Sequence, residues 1–346
     1  MSNVISSNNN RVEFLDFLRG IAIFLVFLAH THHLITIDFV HQFGNLFSRG
    51  VQLFYLVSGY TIFMIYIDKL QNRKDFHKYL IKRFFRIMPL LYILIPVYYF
   101  TFGLSLKFDS SLPDWYHILS HYTLLFGFHS DTMSSIIAPA WSIFDEFLFY
   151  IILGVSLLIF NVRNNIFRYV IILLIISFLT FILSNIFYSN QMILKTYLFL
   201  SPLTQIFIFF VGGGIYIMSK KITISKGIFS LSTIILLIYS VFLHSTTLSV
   251  YLSVILFSIM ILFLSQNELK YNRFFLFLGK ISFSFYLIHY GIIKLFEKYD
   301  LFRLNPYLSI FMMFIVTLIL SLLSFKYIET VFINIGKNLI KRKYAQ

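Results

Sequence analysis

The sequence predicts an all-α fold: a polytopic integral membrane bundle of about ten transmembrane helices with both termini in the cytoplasm. Three observations carry this. Hydrophobic residues make up 59% of the 346 and charged residues only 12%, where a soluble domain carries about 25% charged. The apolar residues gather in runs of about 20, the length a helix needs to cross a bilayer. The 28 basic residues fall unevenly on alternate loops, as the positive-inside rule requires.

Residues 1–12 are polar, rich in Asn and Ser, and are expected to form a disordered cytoplasmic tail. The first span, 14–36, ends in AHTHH with no small-x-small cleavage site, so it is expected to stay in the mature chain. Runs at 51–67, 88–106, 139–160, 166–188, 198–218, 228–244, 248–265, 275–296 and 307–325 complete the ten. The semi-polar piece 115–129 reads as an interfacial helix, a re-entrant helix or an extra span. Residues 13–332 then form one membrane domain, followed by a basic cytoplasmic tail at 333–346.

With the N-terminus inside, 22 of the 28 basic residues face the cytoplasm; Arg49, Lys107, Lys195, Lys294, Lys298 and Arg303 are expected outside. Topology thus accounts for the net charge of +14 without a nucleic-acid partner. The absence of cysteine excludes disulfides and thiol chemistry. Gly212–Gly214 inside an apolar run fit close helix packing better than phosphate binding.

Five stretches place costly polar groups in apolar surroundings. In EFLDFLRGIAIFLVFLAHTHH, Arg19 and His30 lie eleven residues apart, three turns plus roughly 20°, so both share one helix face about 16 Å apart in depth. Asp16 is one turn below Arg19 and is placed to pair with it. Ser58-Gly59 in LFYLVSGY is a packing contact by itself. Arg83 and Arg86, three apart before Pro89, present forks suited to phosphate, although basic residues at a membrane mouth commonly only set topology. In PAWSIFDEFLFY, Asp145 and Glu146 fall inside a span; Ser142, Glu146 and Tyr150 share a face, with Trp141 on the adjacent stripe. In LGKISFSFYLIHY, Ser282, Tyr286 and His289 align on one face.

In this order the motifs LDFLRGIAIFLVFLAH, FYLVSG, RFFRIMPLL, WSIFDEFLFY, LGKISFSFYLIH and FKYIE resemble acyltransferase family 3 from about residue 11 to 332. The family comprises bacterial inner-membrane O-acyltransferases and O-acetyltransferases of surface polysaccharides. Two departures stand out: Asp145 where the family motif reads closer to WSLSVE, and Glu329 followed by Thr330 and Val331 without the family's proline. No appended hydrolase-like domain is expected.

The resemblance implies transfer of an acyl group, acetyl above all, from cytoplasmic acyl-CoA to a hydroxyl of an extracytoplasmic or lipid-linked glycan. His30 would be general base or acyl acceptor, oriented by Glu146 or Asp145. Arg19, Arg83 and Arg86 would hold the donor. Ser142, Trp141, Tyr286 and His289 would contact the acceptor or the oxyanion. No bound cofactor and no metal are expected; acetyl-CoA enters as a substrate. The competing expectation is a transporter or flippase of a polysaccharide precursor or a small anionic solute, which would also need charges at mid-membrane.

Overall fold

The computed structural model describes residues 2–35, 43–104, 112–159, 162–188, 190–242, 247–301 and 305–344. Helix makes up 84% of it, with no strand among the described residues. In chain order the helices are α1 (Ser2–Thr31), α2 (Gly44–Phe47), α3 (Gly50–Tyr66), α4 (Arg73–Phe102), α5 (Asp114–Tyr122), α6 (Trp141–Ile159), α7 (Val162–Phe187) and α8 (Met192–Leu200). They continue with α9 (Pro202–Met218), α10 (Lys226–Phe242), α11 (Thr247–Gln266), α12 (Arg273–Lys280), α13 (Ser282–Lys298), α14 (Pro306–Ser324), a π-helical turn (Phe325–Glu329) and α15 (Thr330–Tyr344).

Six helical stretches are long and apolar enough to cross a bilayer: Glu13–Leu34, Ala138–Leu158, Asn165–Phe187, Met192–Met218, Leu248–Gln266 and Pro306–Tyr344. A seventh is counted if the bent pair α12 and α13 is one span. The remaining three expected spans coincide with α3, α4 and α10; α3 and α10 have 17 residues each. The lipid-facing character is clearest on α7, where Ile171, Ile172, Ile175, Phe178, Leu179, Leu183 and Ile186 are all exposed. In water so large an apolar face would be an aggregation site; in lipid it is a matched surface. The chain is a membrane protein.

One expectation is revised: the ninth span, expected as one helix over 275–296, is broken at Ile281 by an 82° bend. The backbone is helical from Ser2 onward and again over Thr330–Tyr344, where the Tyr344 hydroxyl lies 2.8 Å from His77 Nδ1. Asn72 and Asn272 cap α4 and α12 by accepting from Asp75 N–H and Phe274 N–H. Lys107 and Arg303, counted as outer-side charges, lie outside the described residues.

The chain divides into two compact units. The first comprises residues 1–65 and 208–319, the second 66–207 and 320–346.

In the first unit, glycines set how closely helices approach. A Cβ on Gly20 would collide with the Phe275 carbonyl, and one on Gly279 with the Asp16 carbonyl, so α1 and α12 cross backbone to backbone. Gly59 and Gly212 play the same reciprocal part between α3 and α9, against the Phe209 and Leu56 carbonyls. The GGG stretch and Ser58-Gly59 are packing devices, as their positions in apolar runs imply.

In the second unit, α4, α6 and α15 pack through Gly154, seated on Phe76 and Tyr79, and Gly336, seated on Phe85. The nine residues of α5 extend only about 14 Å, too short for a span. This helix buries His117, Ser120 and His121 and exposes Trp115, Tyr116, Leu119 and Tyr122, the pattern of an interfacial helix. His121 donates from Nδ1 to the His117 carbonyl at 2.9 Å and stacks on Phe126. Burial pushes its imidazole down to about 4.

Candidate active site

The first unit brings two of the expected residues together. His30 occupies the last turn of α1 and His289 the middle of α13, with ring centroids 5.3 Å apart and planes at 44°. His30 also meets the edge of Tyr290 at 5.3 Å. His289 is fully buried. Its Nδ1 lies 2.6 Å from the Tyr286 carbonyl and 3.2 Å from that of Phe285. Carbonyls only accept, so Nδ1 carries the proton and Nε2 keeps a bare lone pair. That Nε2 has no hydrogen-bond partner among the described residues. Tyr286 lies between this pair and α3, its ring 5.7 Å from His289 and 6.2 Å from Phe54.

Lower on α1, Arg19 is engaged by Asp16 and Thr61. Nη1 pairs with Asp16 at 2.8 Å and Nη2 donates to Thr61 Oγ1 at 2.8 Å, while Thr61 donates to the Val57 carbonyl. The Asp16 pairing follows from the one-turn spacing; Thr61, 42 residues on, had no local signal. Arg19 therefore ties α1 to α3 and fixes the height at which His30 emerges. His32 is held at the end of α1 by the Ala29 carbonyl and Phe47 and packs on Gly44, and His33 is exposed.

The second unit holds the arginines and carboxylates. Arg83 is buried, its guanidinium 5.3 Å from the ring centres of Tyr66 and Tyr150 and 5.9 Å from Tyr79. It also donates to the Tyr66 hydroxyl at 3.4 Å. Arginine cannot shed its charge, so aromatic faces are what make this burial tolerable. Tyr150 donates to Glu146, one turn back on α6, as their four-residue spacing predicts. Arg86 is exposed. The three-residue spacing thus leaves one arginine in a tyrosine box and the other at the surface. Tyr66 and Tyr79 were missed at the sequence level, although Tyr79 precedes Arg83 by four residues.

Asp145 is fully buried and within electrostatic reach of Tyr197. Ser142 is buried and donates to the Pro139 carbonyl at 3.3 Å; Trp141, partly exposed, opens α6. Glu329 is buried at the end of the π-helical turn, a local widening frequent near functional sites. Of the expected site residues, Arg19, His30, Tyr286 and His289 belong to the first unit; Arg83, Arg86, Trp141, Ser142, Asp145 and Glu146 belong to the second. Among the described residues no three His, Asp or Glu side chains gather as a metal ion would require.

Chemically, the histidine pair offers a proton acceptor beside a second imidazole of fixed tautomer. The Arg83 cluster offers a permanent positive charge next to a carboxylate. In comparison with known families, residues 12–326 match the family model described as an acyltransferase domain, that of acyltransferase family 3. The chain belongs to that family of membrane acyltransferases. Neither the comparison with curated proteins nor that with solved structures returned a match.

Proposed function

We propose that this acyltransferase is an O-acyltransferase of a bacterial cytoplasmic membrane, acetyl being the first acyl group to test. It would move the group from cytoplasmic acyl-CoA to a hydroxyl of an extracytoplasmic or lipid-linked glycan. The observation that carries the reading is the His30–His289 pair at the end of α1. With its Nδ1 proton committed to backbone carbonyls, His289 presents only an acceptor to its surroundings. An N–H of His30 directed at that acceptor would leave the other His30 nitrogen as the base.

In the proposed step His30 takes the proton of the acceptor hydroxyl as its oxygen attacks the thioester carbonyl. The carbon–sulfur bond then breaks, and the imidazolium returns the proton to the CoA thiolate. Transient acylation of His30 is the alternative route. Arg86, exposed beside the cluster, is proposed to meet donor phosphates, with Arg83 holding the charge behind it. Arg19 acts by positioning α1. Glu146 and Asp145 remain the carboxylates the reaction is proposed to need, and Glu146→Gln and Asp145→Asn decide between them. The same reading takes all ten apolar helices as spans, with both termini cytoplasmic.

The experiment is purified protein in detergent with labelled acyl-CoA and candidate glycans. CoA release that depends on acceptor and on His30 supports the reading. Uptake of solute into vesicles with no thioester cleavage overturns it in favour of transport.

A further inference from the structure

Arg49 is counted by the sequence among the outer-side charges, yet it is only 3% exposed. It sits immediately before the 17-residue α3, where a cation is the wrong sign for the helix dipole, so it is not there as a cap. Its depth follows from the next residue: a Cβ on Gly50 would press on the Ala22 carbonyl and on Val26. Val26 lies one turn, about 6 Å, below His30 on α1. Burial at this level rules out snorkelling to water.

Among the described residues, the partner of Arg49 is polar but neutral. The Arg49 side chain hydrogen-bonds Tyr239. The Tyr239 hydroxyl in turn donates to the Ser249 carbonyl at 3.0 Å and lies 2.6 Å from Ser253 Oγ. Gln52, 2% exposed, follows three residues along α3. Among the described residues, Arg49 Nε has no hydrogen-bond partner and no ion pair involves Arg49. A guanidinium stays charged at any accessible pH, and a buried charge without a counter-charge is strongly unfavourable. Tyrosine and serine hydroxyls solvate it but do not neutralise it.

We propose that Arg49, with Tyr239 beside it, anchors a binding site for a single oxyanion within the first unit. The fork geometry of arginine suits a carboxylate or a phosphate ester. The choice of sources rests on the glycan acceptor proposed above, two kinds of which carry such a group: an acidic sugar and a phosphate-linked saccharide. Anion binding is read without turnover, so its failure is distinguishable from failure of the proposed transfer.

The test is thermal unfolding of the purified full-length protein in neutral detergent. Inorganic phosphate and glucuronate are titrated separately while sodium chloride holds the ionic strength constant. A saturable rise in Tm is expected with at least one anion; phosphate alone indicates the phosphate source, glucuronate alone the acidic sugar. Arg49→Met should respond at least about tenfold more weakly, and its Tm without anion should not fall, because an apolar side chain of similar length removes a buried charge that no described residue pairs with. Tyr239→Phe, which removes the hydroxyl beside the guanidinium, should weaken the response and serves if Arg49→Met does not fold; an unchanged response there overturns the proposal. The proposal is overturned if neither anion raises the wild-type Tm beyond the chloride control, or if Arg49→Met responds as wild type does.

Discussion

The two units accommodate costly polar groups in opposite ways. In the first, the paired groups are imidazoles, which can exist without charge; burying His289 needs only a carbonyl for Nδ1 and leaves Nε2 available. In the second, the buried group is a guanidinium with no neutral form, and three tyrosine rings and a hydroxyl surround it. A site whose members can gain and lose a proton is suited to bond making. One whose charge is permanent is suited to holding an anionic partner or a carboxylate in place. The difference suits the histidine pair to the proton transfer proposed above and the Arg83 cluster to holding charge.

The largest expected effect tests the first half of that contrast. His30→Ala should lower acyl transfer by about 10³-fold, the scale of a lost general base, with Tm and membrane insertion unchanged. CoA release at wild-type rate would remove His30 from the chemistry. Next comes Arg83→Ala, which empties the tyrosine box. A loss of stability on the order of 3 kcal/mol is expected from several desolvated cation–π contacts and one hydrogen bond, read as a fall in Tm. Arg86→Ala sharpens the contrast: the side chain is exposed, so Tm should hold while KM for acyl-CoA rises about tenfold, near 1.4 kcal/mol. Equal Tm losses in the two variants would mean that both arginines serve packing alone.

The smallest effect is one of pH and concerns His121. Its folded value near 4 lies below the usual 6.5, so the unfolded chain takes up a proton that the folded state refuses. Its contribution to stability is full above pH 6.5 and is lost as the pH falls toward 4. Between pH 7 and 6 the change should be less than about 1 kcal/mol. Denaturant titrations of wild type and His121→Phe should converge in their pH dependence only if another group governs it.

Much of this was legible in the sequence because apolar run length and helical spacing are local quantities. Among the described residues the apolar runs fall on helices, the ninth on two, while Asp16 finds Arg19 at three residues and Tyr150 finds Glu146 at four. Facing was less legible, since it depends on which neighbour covers a helix. Arg83 and Arg86 look equivalent from spacing but diverge once Tyr66 and Tyr79 close over one of them. Arg49 reads as a topology marker until its burial is seen. The break at Ile281 was hidden inside a continuous apolar run, and Thr61 lies 42 residues from the arginine it binds.

The reciprocal glycines of α1 and α12 carry a consequence for precision. Gly20 rests on the Phe275 carbonyl and Gly279 on the Asp16 carbonyl, two contacts one turn apart on each helix. A joint made of bare backbone has no rotamers to change, so thermal rearrangement of side chains cannot let it creep. Sliding by one residue would drive a Cβ into a carbonyl. The joint behaves as a ratchet with two teeth, and its setting fixes the base of the helix that ends in His30.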